Sequence, residues 1–296
     1  MSLKKILSGT GVAIVTPFNE KEEVDFDALG GLLKYIVDGG VEYIVVLGTT
    51  GEAPVLSREE KIEIIHYTYS KVNGKVPVVV GVGGNNTHAL MKDLKEFPLE
   101  KATAVLSACP YYSKPSQEGI IMHYEALADH SPRPLILYNI PGRTGKNMTA
   151  DTTIRLSRHP NIQGMKESSG DFMQIMQVMK HVPEDFLVVS GDDAVTVPLI
   201  ASGLDGVISV AANAYPRKFS SMIRNALSGD FKTATAINFS FLDAYDMMFA
   251  ENNPAGIKAF LSEMKLINNI CRLPLVPVSA SLQERIGRFV KDFQDK

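Results

Sequence analysis

The feature that most constrains this fold is a strict alternation of short β-branched runs with longer amphipathic segments. The short runs have the length and the Val and Ile content of strands: Val12–Thr16, Tyr43–Leu47, Val78–Gly81, Ala104–Ser107, Leu135–Tyr138, Ile162–Lys166, Leu187–Ser190 and Val207–Val210. The segments between them have helical patterns: Asp25–Asp38, Ser57–Val72, Thr87–Phe97, Gln117–Asp129, Thr149–Ser157, Asp171–His181 and Asp193–Ser202. Repeated strand–helix units predict parallel strands, because parallel neighbours need a long crossover connection.

Both an open doubly wound sheet and a closed barrel satisfy this alternation. Polar or glycine-rich segments follow several different strands: Gly48–Glu52, Gly81–Asn86, Pro110–Tyr112, Tyr138–Gly145, Lys166–Gly170 and Gly191–Asp193. An open sheet concentrates such loops at one switch point, whereas a barrel brings all its strand ends to one mouth. The sequence therefore predicts an α/β fold, a (β/α)8 TIM barrel spanning residues 1–225.

The last part of the chain, residues 226–296, lacks strand-like runs. It has helical patterns at Asp230–Ala250, Pro254–Leu266 and Ala280–Asp292, and the proline-rich stretch Leu273–Ser279 separates the last two. We predict a C-terminal helical layer that packs on the barrel.

Composition narrows the class of protein. The formal net charge is −3 and no basic cluster stands out, so neither nucleic acid nor an anionic membrane is an expected partner. The N-terminal residues lack the apolar stretch of a signal peptide, and no run approaches the roughly 20 apolar residues of a membrane span. Cys109 and Cys271 are too few for a disulfide framework, which favours a reduced, cytoplasmic setting.

Metal ions and nucleotide cofactors have no clear ligands in the sequence. The six histidines are scattered without the spacing of a zinc site, so we expect no metal. Asp192 and Asp193 are interpreted as acidic residues that open a helix. The segment Gly81–Asn86 matches neither dinucleotide-binding nor P-loop spacing, so no cofactor is expected.

Lys166 ends a predicted strand and is the strongest candidate for chemistry. Burial favours the neutral form of an amine, and the neutral amine attacks carbonyls to form imines. Taken singly, a lysine at a strand end and an arginine in a loop, such as Arg143, are usually solvated. Tyr111 and Tyr112 taken singly would more often pack against neighbouring side chains. All of these residues lie at or just after the carboxyl end of a predicted strand, however, and barrel active sites are built there.

The motifs as a set resemble the dihydrodipicolinate synthase/N-acetylneuraminate lyase family of pyruvate-dependent class I aldolases, and more closely its synthase branch. The resemblance spans the chain through Gly9–Phe18, Gly48–Glu52, Pro110–Tyr112, Tyr138–Gly145, Gly164–Gly170, Ser190–Asp193 and Gly206–Ser209. It implies a lyase that condenses pyruvate with L-aspartate 4-semialdehyde to 4-hydroxy-tetrahydrodipicolinate in lysine and diaminopimelate biosynthesis.

The resemblance also implies catalytic roles for four residues. Lys166 would form the Schiff base with pyruvate, and Tyr138 would move protons during imine formation. Thr49 would link Tyr138 to Tyr112, which in this family reaches in from a neighbouring subunit. A homo-oligomer, a dimer or a tetramer, is therefore expected.

Four further positions resemble substrate-binding residues. Thr50, with Thr49, would hold the pyruvate carboxylate, and Arg143 would bind the carboxylate of the aldehyde. Gly191 and Ile208 would line the pyruvate site through backbone groups.

Two other functions remain open from the sequence. One is another pyruvate aldolase, cleaving N-acetylneuraminate or a sugar keto acid, although lyases of that kind usually lack the counterpart of Arg143. The other is a non-catalytic pyruvate-binding protein. Some relatives are inhibited by lysine at a subunit interface; here Ala89 replaces an expected glutamate and Lys61 adds a like charge, so we hypothesise weak or absent inhibition.

Overall fold

Eight parallel strands close into a barrel in a computed structural model that describes residues 2–293. Each strand pairs with the next, and β1 pairs with β8 to close the ring. The strands are β1 (Gly9–Ala13), β2 (Tyr43–Val46), β3 (Val78–Gly81), β4 (Ala104–Ala108), β5 (Leu135–Asn139), β6 (Ile162–Glu167), β7 (Leu187–Ser190) and β8 (Gly206–Ser209). The predicted (β/α)8 barrel is confirmed.

The strand bounds were well predicted except for β1. β3 and β7 have the predicted bounds, and most others differ by one residue at an end. β1 instead begins at Gly9 rather than Val12 and ends at Ala13 rather than Thr16. A Cβ atom at Gly11 would lie 2.2 Å from the Tyr43 ring, so glycine makes room for a large side chain inside the barrel. Strand propensity does not reveal such a requirement.

Helices lie around the barrel and at its ends: α1 (Leu3–Leu7), α2 (Phe26–Asp38), α3 (Arg58–Val72), α4 (Thr87–Glu96), α5 (Gln117–His130), α6 (Pro141–Thr144), α7 (Ala150–Leu156), α8 (Phe172–His181), α9 (Thr196–Ala201) and α10 (Pro216–Leu227). Three of these, α1, α6 and α10, were not predicted. Leu3 and Leu7 of α1 pack with the side chains inside the barrel. The capping box at the start of α3 is present: Ser57 N donates to Glu60 Oε2 (2.8 Å) and Glu60 N donates to Ser57 Oγ (3.2 Å). Within residues 2–293, no helix has the length and apolar character needed to cross a membrane.

The predicted start of α9 was wrong. The helix begins at Thr196 rather than Asp193, and no side chain caps it. The buried Asp193 carboxylate instead accepts hydrogen bonds at Oδ2 from Val210 N (3.1 Å) and Ala211 N (2.8 Å). Asp193 therefore ties the loop after β7 to the loop after β8, a link that local sequence does not show.

The C-terminal layer consists of α11 (Phe231–Ser240), α12 (Leu242–Phe249), α13 (Ala255–Glu263) and α14 (Ala280–Asp292). The single helix predicted over Asp230–Ala250 is two helices that meet at Phe241. Phe241 is fully buried, and the centroid of its ring lies 5.7 Å from that of Tyr215 and 5.9 Å from that of Phe219. Packing of this side chain therefore determines where the first helix ends and the second begins. The second predicted helix ends at Glu263 rather than Leu266, and α14 has the predicted bounds. The division of the chain at residue 225 stays a prediction.

Apolar side chains fill the inside of the barrel. They form one buried cluster, distinct from the larger core between strands and helices, and include Tyr43, Val45, Val79, Ile136, Val189 and Ile208. A barrel filled in this way is a packed core rather than a pore, so ligands bind at the mouth.

Candidate active site

A cavity of about 450 Å³ opens at the carboxyl ends of the strands. Six of the positions predicted for the site line it: Thr49, Thr50, Tyr138, Arg143, Lys166 and Gly191. The carboxyl ends of all strands converge on this mouth, which explains why residues far apart in sequence meet there.

Lys166 and Tyr138 form the base of the cavity. They are paired residues on the neighbouring strands β6 and β5, so their side chains lie on the same face of the sheet. Lys166 Nζ lies 4.4 Å from the centroid of the Tyr138 ring, and each residue is only 5% exposed. Among residues 2–293 no carboxylate lies within 4.0 Å of Lys166 Nζ, so no ion pair must break before the nitrogen attacks a carbonyl.

Gly191 provides the space that the Lys166 side chain occupies. A Cβ atom at position 191 would lie 2.5 Å from Lys166 Cε and 2.0 Å from Ser168 Oγ. Both distances are well below van der Waals contact, so a larger residue would force the Ser168 and Lys166 side chains to move. Glycine at position 191 therefore leaves the space in which the amine lies.

The Thr49–Gly51 turn forms a second wall of the cavity. Gly51 O accepts a hydrogen bond from Thr16 Oγ1 (2.7 Å), which fixes the turn to the loop after β1. Thr50 is buried, and its Oγ1 accepts a hydrogen bond from Asn253 Nδ2 (3.0 Å). Thr50 Oγ1 donates no hydrogen bond within residues 2–293, so its proton is available to a bound anion.

Arg143 lies at the rim, on the short helix α6. Its Nη2 donates to Asn252 Oδ1 (3.0 Å) and to Asn253 O (3.1 Å). Nε and Nη1 make no hydrogen bond within residues 2–293 and remain for a ligand. Asn252 and Asn253 were not predicted as part of the site. The only local signal at these positions was the sequence Asn-Asn-Pro before α13, which is typical of a turn.

Tyr112 and Ile208 are not among the residues that line the cavity. Tyr112 is 89% exposed and has φ +69°, and the neighbouring Tyr111 lines the cavity in its place. The Ile208 side chain is fully buried inside the barrel, and Val210 is the lining residue from the end of β8.

Two buried carboxyl groups support the strand ends beside Lys166. Glu167 accepts hydrogen bonds from Asn139 Nδ2 (3.2 Å) and Ser169 N (2.6 Å), and burial nevertheless raises its pKa. Burial also raises the pKa of Asp193, to about 6, against the opposing effect of its backbone donors. Neither carboxyl has a cationic partner among residues 2–293, so both act through hydrogen bonds to the loops that shape the cavity.

Other reactive or metal-binding groups contribute little here. Burial raises the pKa of the Cys109 thiol to about 11, which fits the interpretation of a small buried apolar side chain. The described part of the chain contains no group of three or more His, Cys, Asp or Glu side chains placed to hold a metal ion.

The family model and the curated relatives that match this chain indicate the same protein family. Residues 6–293 match the model of the dihydrodipicolinate synthetase family. A 4-hydroxy-tetrahydrodipicolinate synthase from Parabacteroides distasonis is 48% identical over 291 residues, 98% of each chain.

Two solved structures have nearly the same fold. The chloride-inhibited dihydrodipicolinate synthase from Acinetobacter baumannii, complexed with pyruvate, has a TM-score of 0.94 at 37% identity, covering 97% of this chain and 98% of that one. The enzyme from Cyanidioschyzon merolae with lysine bound has a TM-score of 0.93 at 35% identity, with coverage of 97% and 98%. This chain therefore belongs to the dihydrodipicolinate synthetase family.

Proposed function

We propose that the protein is a class I aldolase-type lyase that condenses pyruvate with L-aspartate 4-semialdehyde to 4-hydroxy-tetrahydrodipicolinate, in lysine and diaminopimelate biosynthesis. The observation that carries the proposal is the pair Lys166 and Tyr138 at the base of the cavity, 4.4 Å from Nζ to ring centroid. Fold alone would not support it, because barrels host many chemistries. The curated relatives of the family carry the same activity in their names.

The chemistry begins at the Lys166 nitrogen. Nζ attacks C2 of pyruvate, the carbonyl oxygen leaves as water, and the resulting imine makes the C3 protons acidic. Loss of one C3 proton gives an enamine, whose C3 attacks the aldehyde carbon and forms the new carbon–carbon bond. The amino group of the second substrate then attacks C2 and displaces Lys166, which closes the ring and frees the enzyme.

Proton transfer is assigned to Tyr138. A phenol near neutral pH needs hydrogen-bonded partners to pass protons. We therefore assign proton transfer to a relay of hydroxyl groups that runs from Tyr138 through Thr49 to Tyr112. Tyr112 lies outside the cavity of its own chain and is almost fully exposed, which supports a role in the cavity of a second copy. The functional unit we propose is therefore a homo-oligomer, a dimer or a tetramer.

Substrate selection is assigned to the walls and rim. Thr50 and the backbone of its turn bind the pyruvate carboxylate, and Gly191 contributes a backbone group to the same site. Ile208 is assigned a backbone contact only, because its side chain lies inside the barrel and does not line the cavity. Arg143 binds the carboxylate of the aldehyde through its Nε or Nη1 donors, because a charge-assisted hydrogen bond from a guanidinium to a carboxylate is stronger than a neutral one. Its position at the rim, already held by Asn252 and Asn253, supports this assignment.

Location is the remaining part of the proposal. Cys109 and Cys271 are both free and buried, which is typical of a protein kept in a reducing compartment. We place the protein in the cytoplasm.

The test combines borohydride trapping with turnover. The protein is reduced with borohydride in the presence of pyruvate, the adduct is mapped by mass spectrometry, and turnover of L-aspartate 4-semialdehyde is measured in parallel. We expect an adduct on Lys166 and none in Lys166→Ala. Arg143→Ala should retain the adduct but lose use of the aldehyde, whereas Arg288→Ala, on the exposed face of α14, serves as the matched arginine control.

Other outcomes lead to other functions. An adduct without turnover, together with cleavage of N-acetylneuraminate, would establish a keto-acid lyase. Folded protein without any adduct would establish a pyruvate-binding protein. Normal turnover by Arg143→Ala would remove the main support for the assigned aldehyde.

A further inference from the structure

A buried ion pair joins the C-terminal layer to the turn that carries the two threonines. Lys258 Nζ, on α13, contacts Glu52 Oε1, and both side chains are 0% exposed. Lys258 Nζ also donates a hydrogen bond to Ile270 O (2.8 Å) and lies 4.2 Å from the Phe18 ring centroid. The other oxygen, Glu52 Oε2, accepts a hydrogen bond from Arg272 N (3.1 Å). The proposed reaction uses neither charge.

Stability is a weak explanation for a pair of this kind. Removing two charges from water carries a large desolvation penalty, and well-packed apolar residues often stabilise a fold as well or better. Burial accordingly lowers the pKa of Lys258, and Glu52 opposes that shift. Glu52 also has φ +53° and ψ +33°, a left-handed conformation that is uncommon for a residue other than glycine. Glu52 thus combines an uncommon backbone conformation with a buried charge, and this combination indicates that the position of its backbone matters for function.

The pair acts on the backbone directly beside the cavity. Glu52 follows the Thr49–Gly51 turn, and its backbone N–H closes that turn by donating to Thr49 O (3.1 Å). Asn253, just before α13, donates to the Thr50 hydroxyl from the other side. The same segment of the C-terminal layer thus holds the turn at two points, one at the Thr50 hydroxyl and one at the end of the turn.

We infer that Lys258 and Glu52 are positioning residues for this turn. The buried pair holds the Thr49–Gly51 backbone at the place where it meets the carboxylate of pyruvate, so Lys258 and Glu52, neither of which lines the cavity, set pyruvate affinity without touching the substrate. The inference rests on the proposed function, in that it takes pyruvate as the ligand of the turn.

The experiment measures steady-state kinetics for pyruvate in three variants. Lys258→Met and Glu52→Gln each remove one charge with little change of shape, and Glu52→Gln/Lys258→Met removes both. We expect KM for pyruvate to rise about tenfold or more, with a smaller change in kcat, because a small displacement of a binding group weakens its contact with the ligand. The double variant leaves no unpaired charge, so its melting temperature should recover while its KM for pyruvate stays raised.

The control is Phe289→Leu, in the aromatic cluster of α14 with Phe260 and Tyr215, which destabilises the same layer away from the turn. It should lower the melting temperature and leave KM for pyruvate unchanged. An equal rise of KM in this control, or a wild-type KM in the double variant, would overturn the inference. If Lys258→Met does not fold, Glu52→Gln and the double variant carry the same comparison.

Failure of the inference and failure of the proposed function are distinguishable. Absence of a borohydride adduct in the unmodified protein refutes the proposed function. An adduct in the unmodified protein, combined with an unchanged KM in the pair variants, refutes only the positioning role.

Discussion

Replacing Gly191 by alanine is the sharpest test of the geometry around the amine. The added methyl carbon would lie 2.5 Å from Lys166 Cε and 3.1 Å from Lys166 Cγ. Non-bonded carbons rest at about 3.5–4.0 Å, so Cε must move by about 1 Å or the backbone after β7 must shift. A misplacement of about 1 Å can cost about 100-fold in rate. We therefore expect Gly191→Ala to slow imine formation with pyruvate by about 100-fold.

The assay follows the borohydride-trapped adduct on Lys166 by mass spectrometry at increasing times after mixing with pyruvate. Thermal denaturation is recorded in parallel, because overpacking a well-filled site costs about 1–3 kcal/mol. The control is Gly31→Ala on α2, where a Cβ atom would meet no other atom within 4 Å. That change should leave trapping unaltered and stabilise the helix by about 1 kcal/mol. Trapping of Gly191→Ala at the wild-type rate would refute the argument that this glycine makes room for the amine.

Three further predictions concern pH, assembly and regulation. Burial raises the pKa of Asp193 from 3.8 to about 6, so its contribution to stability is present below pH 3.8 and is lost as pH rises through about 6. This change in the free energy of unfolding is at most about 3 kcal/mol between these pH values, and Asp193→Asn should abolish it in urea denaturation. The same pH dependence in Asp193→Asn would contradict the assignment. Tyr112→Phe should lower kcat at least about tenfold with the assembly intact by ultracentrifugation; a wild-type kcat would exclude Tyr112 from the relay. With Lys61 and Ala89 in place, millimolar lysine should leave the rate nearly unchanged, and strong inhibition by micromolar lysine would disprove this.

The C-terminal layer completes the site from outside the barrel. Arg143 and Thr50 belong to the barrel, yet Arg143 is held by Asn252 and Asn253, and Thr50 is held by Asn253, both of which precede α13. Without this layer the Arg143 guanidinium would lose two hydrogen-bond acceptors and the Thr50 hydroxyl would lose its donor. Substrate selection is therefore expected to respond to changes in α13, which does not line the cavity.

Local sequence signals determined most of the architecture. β3, β7 and α14 have the bounds that their apolar periodicity predicts, and α3 begins at the predicted capping box of Ser57 and Glu60. Such signals succeed because strand pleating, helix periodicity and capping involve residues only a few positions apart. The meeting of Lys166 and Tyr138 at the cavity could also be predicted, since the carboxyl ends of all barrel strands converge on one mouth.

Tertiary structure alone decided the features that depend on distant residues. β1 contains Gly11 because Tyr43 fills the barrel interior, and Asp193 turns away from α9 to bind the loop after β8. The contact of Asn253 with Thr50 and the ion pair of Lys258 with Glu52 each join segments that are about 200 residues apart. No local pattern encodes these partners, because each contact exists only after the barrel has closed and the C-terminal helices have packed against its mouth.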